Sequence, residues 1–145
     1  MVLRSDSIQA RLRRLEEVVT ELRELAKLDR VALRGSLRNM WAVERGLQLG
    51  AEVLLDIGNH ILSAQYGATS DRYQDIIEQL AGQGILDEGL HQRLRGIAGF
   101  RNILVHDYLR LDPGRVEEAL GTAPRDFDDF ARAIRRWLEG VEAKS

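Results

Sequence analysis

Apolar residues recur along this chain at spacings of three and four, and no stretch alternates in the two-residue period of a half-buried strand. Ile8, Leu12, Leu15, Val19, Leu22 and Ala26 form the first stripe, with Arg and Glu between them, and predict a helix over about Asp6 to Lys27. A second pattern, through Leu33, Leu37, Met40, Leu47, Leu54, Ile57 and Ile61, predicts helix from roughly Arg30 to Gln65. At about 1.5 Å per residue it would reach roughly 50 Å. Gly35, Gly46, Gly50 and Gly58 are available to bend it or admit a close neighbour. Tyr66-Gly67-Ala68-Thr69-Ser70 reads as a break, and Asp71 with Gln74 as the capping box of a short helix to about Ala81. Gly82-Gln83-Gly84 ends that helix, and Asp87 opens the next, which runs towards Tyr108. Asp112-Pro113 predicts an N-cap and first helical residue for one short helix. Pro124 predicts the start of the last helix, with Phe127, Phe130, Ile134, Trp137 and Val141 on its inner face.

These elements make an all-α protein, an antiparallel bundle of four to five main helices joined by short loops, as a single domain over residues 1–145. The long stripes of the first two helices exceed what one small domain readily covers, which points to a homodimer. Trp41 and Trp137 read as core.

Composition narrows the chemistry. The chain has no cysteine, so disulfides, thiolate nucleophiles and cysteine-held metal are excluded. The N-terminal residues lack the apolar run of a signal peptide, and no apolar stretch approaches membrane-spanning length, so the expected compartment is the cytoplasm, with no membrane partner. A net charge of −2 argues against charge-driven adhesion to nucleic acid. Any contact with RNA must come from a local basic cleft. The cations are nineteen arginines and two lysines, and arginine is the better fork for phosphate.

The candidate chemistry lies in Arg101-Asn102-Ile103-Leu104-Val105-His106-Asp107-Tyr108. Leu90, Leu94, Ile97, Leu104 and Tyr108 fall on one 4-3-4-3-4 seam whose missing position is Arg101. A guanidinium cannot shed its charge, so a core-facing one costs several kcal/mol unless it is paired or lines a wet cleft. Asn102 and His106, four apart, share the neighbouring flank. The plain reading makes Arg101 a structural cation paired with Glu44, Asp56 or Asp75, and Tyr108 a core aromatic.

Arg101, His106 and Tyr108 spell R-x-x-x-x-H-x-Y, which resembles the signature of the HEPN (higher eukaryotes and prokaryotes nucleotide-binding) superfamily, in particular the HepT-like toxins of two-gene toxin–antitoxin modules. Glu44-Arg45-Gly46-Leu47-Gln48, Asp56-Ile57-Gly58-Asn59-His60-Ile61 and Tyr73-Gln74-Asp75-Ile76 resemble that family's blocks in the same order, so the resemblance spans about Ser7 to Glu139. It implies a metal-independent endoribonuclease, active as a homodimer with two motifs facing one cleft. It also implies a nucleotidyltransferase antitoxin as partner, which in relatives transfers AMP from ATP onto the motif tyrosine, here Tyr108. Other relatives are held simply by complex formation. The nuclease itself needs no cofactor on this reading.

The residues suit that chemistry. His106 can act as base for the 2′-hydroxyl or acid for the leaving oxygen, because imidazole titrates near neutrality. Arg101 can fork the phosphate and stabilise its developing charge. Asn102 can orient the imidazole or contact RNA. A 2′,3′-cyclic phosphate and a 5′-hydroxyl are the expected products. Residues five apart on a helix point about 140° apart, however. Either the arginine wraps round, the helix distorts, or Arg101 of one subunit meets His106 of the other.

Asp56, Asn59 and His60 form an i, i+3, i+4 polar group that supports the site, contacts the partner or bonds between helices. Asp56 and His60 are poor metal ligands, since no third ligand stands at a recognisable spacing, and no metal site is expected. The acidic run Asp126, Asp128 and Asp129 reads as first-turn charge favoured by a helix dipole. The alternative function is a non-catalytic helical module that binds the nucleotidyltransferase partner or a nucleotide.

Overall fold

A computed structural model describes residues 3–68 and 73–144. Among these residues there are helices and turns but no strand: α1 (Ser5–Leu25), α2 (Arg30–Arg34), α3 (Leu37–Tyr66), α4 (Tyr73–Gly82), α5 (Glu88–Leu94), α6 (Ile97–His106), a 3-10 turn (Tyr108–Arg110) and α7 (Pro113–Lys144). The all-α bundle is as expected; several boundaries are not.

The pattern read as one helix over Arg30 to Gln65 is two. Ser36 leaves the helical region and its hydroxyl accepts from the Asn39 amide at 3.2 Å, so α3 begins with its own cap. The segment read as one helix from Asp87 to Tyr108 also breaks. Asp87 does cap α5, accepting from Leu90 N at 2.8 Å. The chain then turns at Arg95 and Gly96 before α6 starts, and α6 ends at His106. Conversely, the two helices expected after Asp112 are one. Asp112 accepts from Gly114 N at 2.9 Å and Pro113 takes the first helical position, as read. Pro124, though, lies inside α7. An interior proline costs about 3 kcal/mol through its missing N–H and its clash with the preceding turn. Burial of Leu120, Ala123, Phe127 and Phe130 beside it outweighs that penalty. The capping box assigned to Asp71 lies outside the described residues.

Of the α1 stripe, Ile8, Leu12, Leu15, Val19 and Leu22 are buried against α3 and α7, while Ala26, just past the helix, is exposed. Leu47, Leu54, Ile57 and Ile61 of α3 are likewise buried. Leu37 of the second stripe stays exposed, and the covered remainder does not by itself call for the expected second copy. What lets the helices close so tightly is small residues. A Cβ on Gly50 would stand 2.2 Å from Phe127 Cε2, and one on Gly58 would stand 2.6 Å from Ile76 Cγ2. Gly67 (φ 63°) ends α3 in the left-handed region, with Ala68 N returning to Leu62 O at 3.0 Å. Trp137, half-buried, donates from its indole N–H to Tyr66 Oη at 3.2 Å.

Ion pairs tie the periphery. Glu117 of α7 accepts from Arg30 at 3.0 Å and from Arg34, so α2 is pinned to the start of α7. Arg93 of α5 reaches Asp126 at 2.6 Å and Asp129 at 2.9 Å. Asp128 pairs with Arg132 at 2.9 Å. The acidic run sits mid-helix, so its reason is pairing rather than a first-turn dipole. No helix among the described residues is long and apolar enough to cross a membrane.

Candidate active site on the sixth helix

Residues 97–106 are regular α-helix, so the motif is not brought together by local distortion. Its helix packs on α3 and α4. Only Ala98 is fully buried; Ile97, Phe100 and Leu104 pack partly against the core, and Ile103 and Val105 are half-exposed.

Arg101 points towards α3 and is held from three sides. Nη2 donates to Glu52 Oε1 at 3.3 Å, Nη1 donates to Asn102 Oδ1 at 3.1 Å, and the guanidinium carbon lies 4.8 Å from the centre of the Tyr73 ring. Its side chain is 15% exposed, and Nε is buried without a hydrogen-bond partner among the described residues. Gln48 Nε2 also donates to Glu52 Oε1 at 3.3 Å, one turn away on α3. The cation is thus paired, as burial requires. Its partner is Glu52, not Glu44, Asp56 or Asp75.

Asn102 and His106 are exposed. Asn102 contacts Arg101 instead of the imidazole. His106 closes the helix, and the chain leaves the helical path at Asp107 (φ −132°, ψ 47°). Tyr108 therefore does not continue the α6 seam towards the core. It stands in the 3-10 turn and is 72% exposed. A phenol that open is available to an incoming group.

The two supporting candidates stand one and two turns beyond Glu52 on α3. Asp56 is engaged by Arg11 Nε at 2.6 Å, which ties α1 to α3, and Asn59 is exposed. Neither contacts the motif among the described residues. Burial lifts the Glu44 carboxyl above the ordinary range. The described residues hold no cluster of three or more His, Asp or Glu placed to share a metal.

Glu52, Gln48 and Tyr73 are what the sequence reading missed. Gln48 and Tyr73 lay within the family-like blocks without a role assigned, and Gln48 and Glu52 stand i, i+4 on α3. Nothing in one dimension pairs them with a residue some fifty positions later.

Comparison with known proteins adds the family. The profile described as "Ribonuclease HepT-like" matches residues 12–134. The chain is 31% identical over 136 residues to a tRNA nuclease HepT of Aphanizomenon flos-aquae, covering 91% of this chain and 92% of that one. It is 32% identical over 89 residues to an mRNA nuclease HepT of Shewanella oneidensis, covering 61% of this chain and 67% of that one. Among solved structures, a tri-AMPylated HEPN toxin of Shewanella oneidensis in complex with an MNT antitoxin superposes with a TM-score of 0.83 at 23% identity. That match covers 92% of this chain and 99% of the other, and it speaks for the fold.

Proposed function

The chain belongs to the ribonuclease HepT-like family, and from that premise we propose that it is the toxin of a toxin–antitoxin pair, cutting RNA at a site built on Arg101, Asn102 and His106. The observation that carries the proposal is the arrangement on α6: a guanidinium anchored by Glu52 and Asn102 under a tyrosine ring, with an imidazole exposed at the same helix's end. Arg101 binds a phosphodiester oxygen through its remaining N–H groups and stabilises the charge that grows on the phosphorane. His106 takes the proton of the 2′-hydroxyl as that oxygen attacks phosphorus, or returns a proton to the departing 5′-oxygen. The P–O5′ bond breaks, leaving a 2′,3′-cyclic phosphate and a 5′-hydroxyl. One imidazole cannot hold both roles in a single step. Arg101 turns inward to Glu52 and His106 lies about 140° round the helix. Two copies facing each other resolve the geometry, each giving its imidazole to the other's arginine, and water carries the remaining proton. We therefore place the site in a homodimer, with the half-exposed Ile103 and Val105 beside its contact.

The relative with a similar fold is an AMPylated toxin bound to an MNT antitoxin. By the same logic a nucleotidyltransferase partner restrains this protein, using ATP to place AMP on the Tyr108 hydroxyl with release of pyrophosphate. The added phosphate would sit beside Arg101 of the cleft and compete with RNA. The chemistry asks for no metal.

The test is incubation of purified protein with total RNA in EDTA, beside His106→Ala. Cleavage ending in cyclic phosphate, lost in the variant, is expected. Equal cleavage by both proteins, or by neither, removes the proposal.

A further inference from the structure

Trp41, read from the sequence as core, is 61% exposed on the outer face of α3. Arg38 precedes it by three residues and Arg45 follows it by four, so both flank its ring along one helix surface. Both are exposed, and among the described residues no carboxylate stands within ion-pair distance of either. Most other described arginines are ion-paired. Leu37, also exposed, borders the patch.

The patch lies in line with the motif. Trp41 and Glu52 are eleven residues apart, which places them within about 20° of each other round α3 and about 16 Å apart along it. Glu52 holds Arg101. From there α6 runs back towards the start of α3. Phe100 and Leu47 share one cavity wall, and the chain after α6 reaches α2 through Glu117 with Arg30 and Arg34. His106, about 7.5 Å beyond Arg101, is then level with residues 43–47. Back along α3 from the Glu52 that holds Arg101, the order is Arg45, Trp41, Arg38.

We propose that Arg38, Trp41 and Arg45 form a subsite for single-stranded RNA, in which a base flanking the scissile phosphodiester stacks on the indole and its phosphates meet the two guanidinia. The inference rests on the ribonuclease reading and deepens it. Stacking on an aromatic face with cations alongside is how proteins hold unpaired strands without reading their sequence. A second copy is the other conceivable cover for an exposed tryptophan. Two-fold packing about this patch would set Arg38 and Arg45 against their own duplicates, which charge opposes. The acidic net charge of the chain makes such a local track necessary if RNA is to bind at all.

The test is fluorescence anisotropy with 2′-O-methyl dodecamers of oligo(U) and oligo(A), which lack the attacking hydroxyl and leave the protein unaltered. Trp41→Ala weakens binding by about five- to hundredfold, the range that base–aromatic stacking spans. Trp41→Phe keeps most of the affinity. Arg38→Ala and Arg45→Ala each reduce the slope of log K against log salt by about 0.7. Unchanged affinity in Trp41→Ala overturns the subsite, as does no binding by the unaltered protein. A loss that follows dimer dissociation in sedimentation also overturns it, in favour of self-association. The same preparations are assayed on total RNA. If the unaltered protein cleaves while the oligomer affinities do not move, the subsite falls and the ribonuclease reading stands. If it does not cleave, the reading itself falls.

Discussion

The Arg101 guanidinium donates to Glu52 at 3.3 Å, joining the motif helix to the long third helix across forty-nine residues of sequence. Glu52 is shared, since Gln48 donates to the same oxygen. The carboxylate sets where the cation sits, so in the proposed site it is a positioning residue.

Glu52→Gln keeps the shape and removes the charge, so Arg101 loses one charge-assisted bond worth about 1.5–3 kcal/mol. Turnover on RNA is expected to fall roughly tenfold or more, with KM changed less. Arg101→Lys, which cannot fork, loses about a hundredfold in turnover. Equal falls in turnover and affinity for Glu52→Gln would mark a general loss of structure instead, and circular dichroism would show it.

If each imidazole serves the opposite subunit's arginine, Arg101→Ala and Asn102-intact His106→Ala proteins are each inactive alone. Mixing them after dilution and reassociation restores cleavage through the one unblemished site of the heterodimer. Persistent inactivity of verified heterodimers argues for sites complete within one chain.

Tyr108 is open to solvent and carries no part of the core, so Tyr108→Phe leaves thermal stability and RNA cleavage close to those of the unaltered protein. Co-expression with the partner nucleotidyltransferase then no longer rescues growth. Intact protein mass would show AMP additions only in the tyrosine-bearing form. Undiminished rescue of Tyr108→Phe would mean that neutralisation proceeds by occlusion.

Arg34 and Arg30 hold the Glu117 carboxyl below the usual carboxylate range, Arg34 foremost through its hydrogen bond. A depressed folded value means stability that is present above the unfolded pKa of about 4.5 and lost as pH falls through the folded one. Urea midpoints for the unaltered protein should therefore exceed those of Glu117→Gln at pH 6–7. The two should converge in acid once the pH falls below the folded value. A gap independent of pH would show that the pair stabilises by packing alone.

The periodicity of the chain determined the helical class and the main elements, because amphipathic helices announce themselves locally through which positions are apolar. It also determined the cap at Asp112 and Pro113 and the stop at Gly67, since both depend on a residue's own backbone preferences. The resemblance carried by Arg101, His106 and Tyr108 led to the family that the wider comparison shows. Other features were settled only when distant segments met. Pro124 continues a helix because the surrounding core repays its lost hydrogen bond, which no local rule reveals. Gly96 divides a seam that looks unbroken on paper, and the turn at Asp107 then brings Tyr108 to the surface. Trp41, read as core, faces solvent. Arg101 chose Glu52 over Glu44, Asp56 and Asp75 because α6 packs across α3 at that turn. Local conformation is written in neighbouring residues; ion pairs and exposure are decided by which helix arrives alongside, and that depends on the whole chain at once.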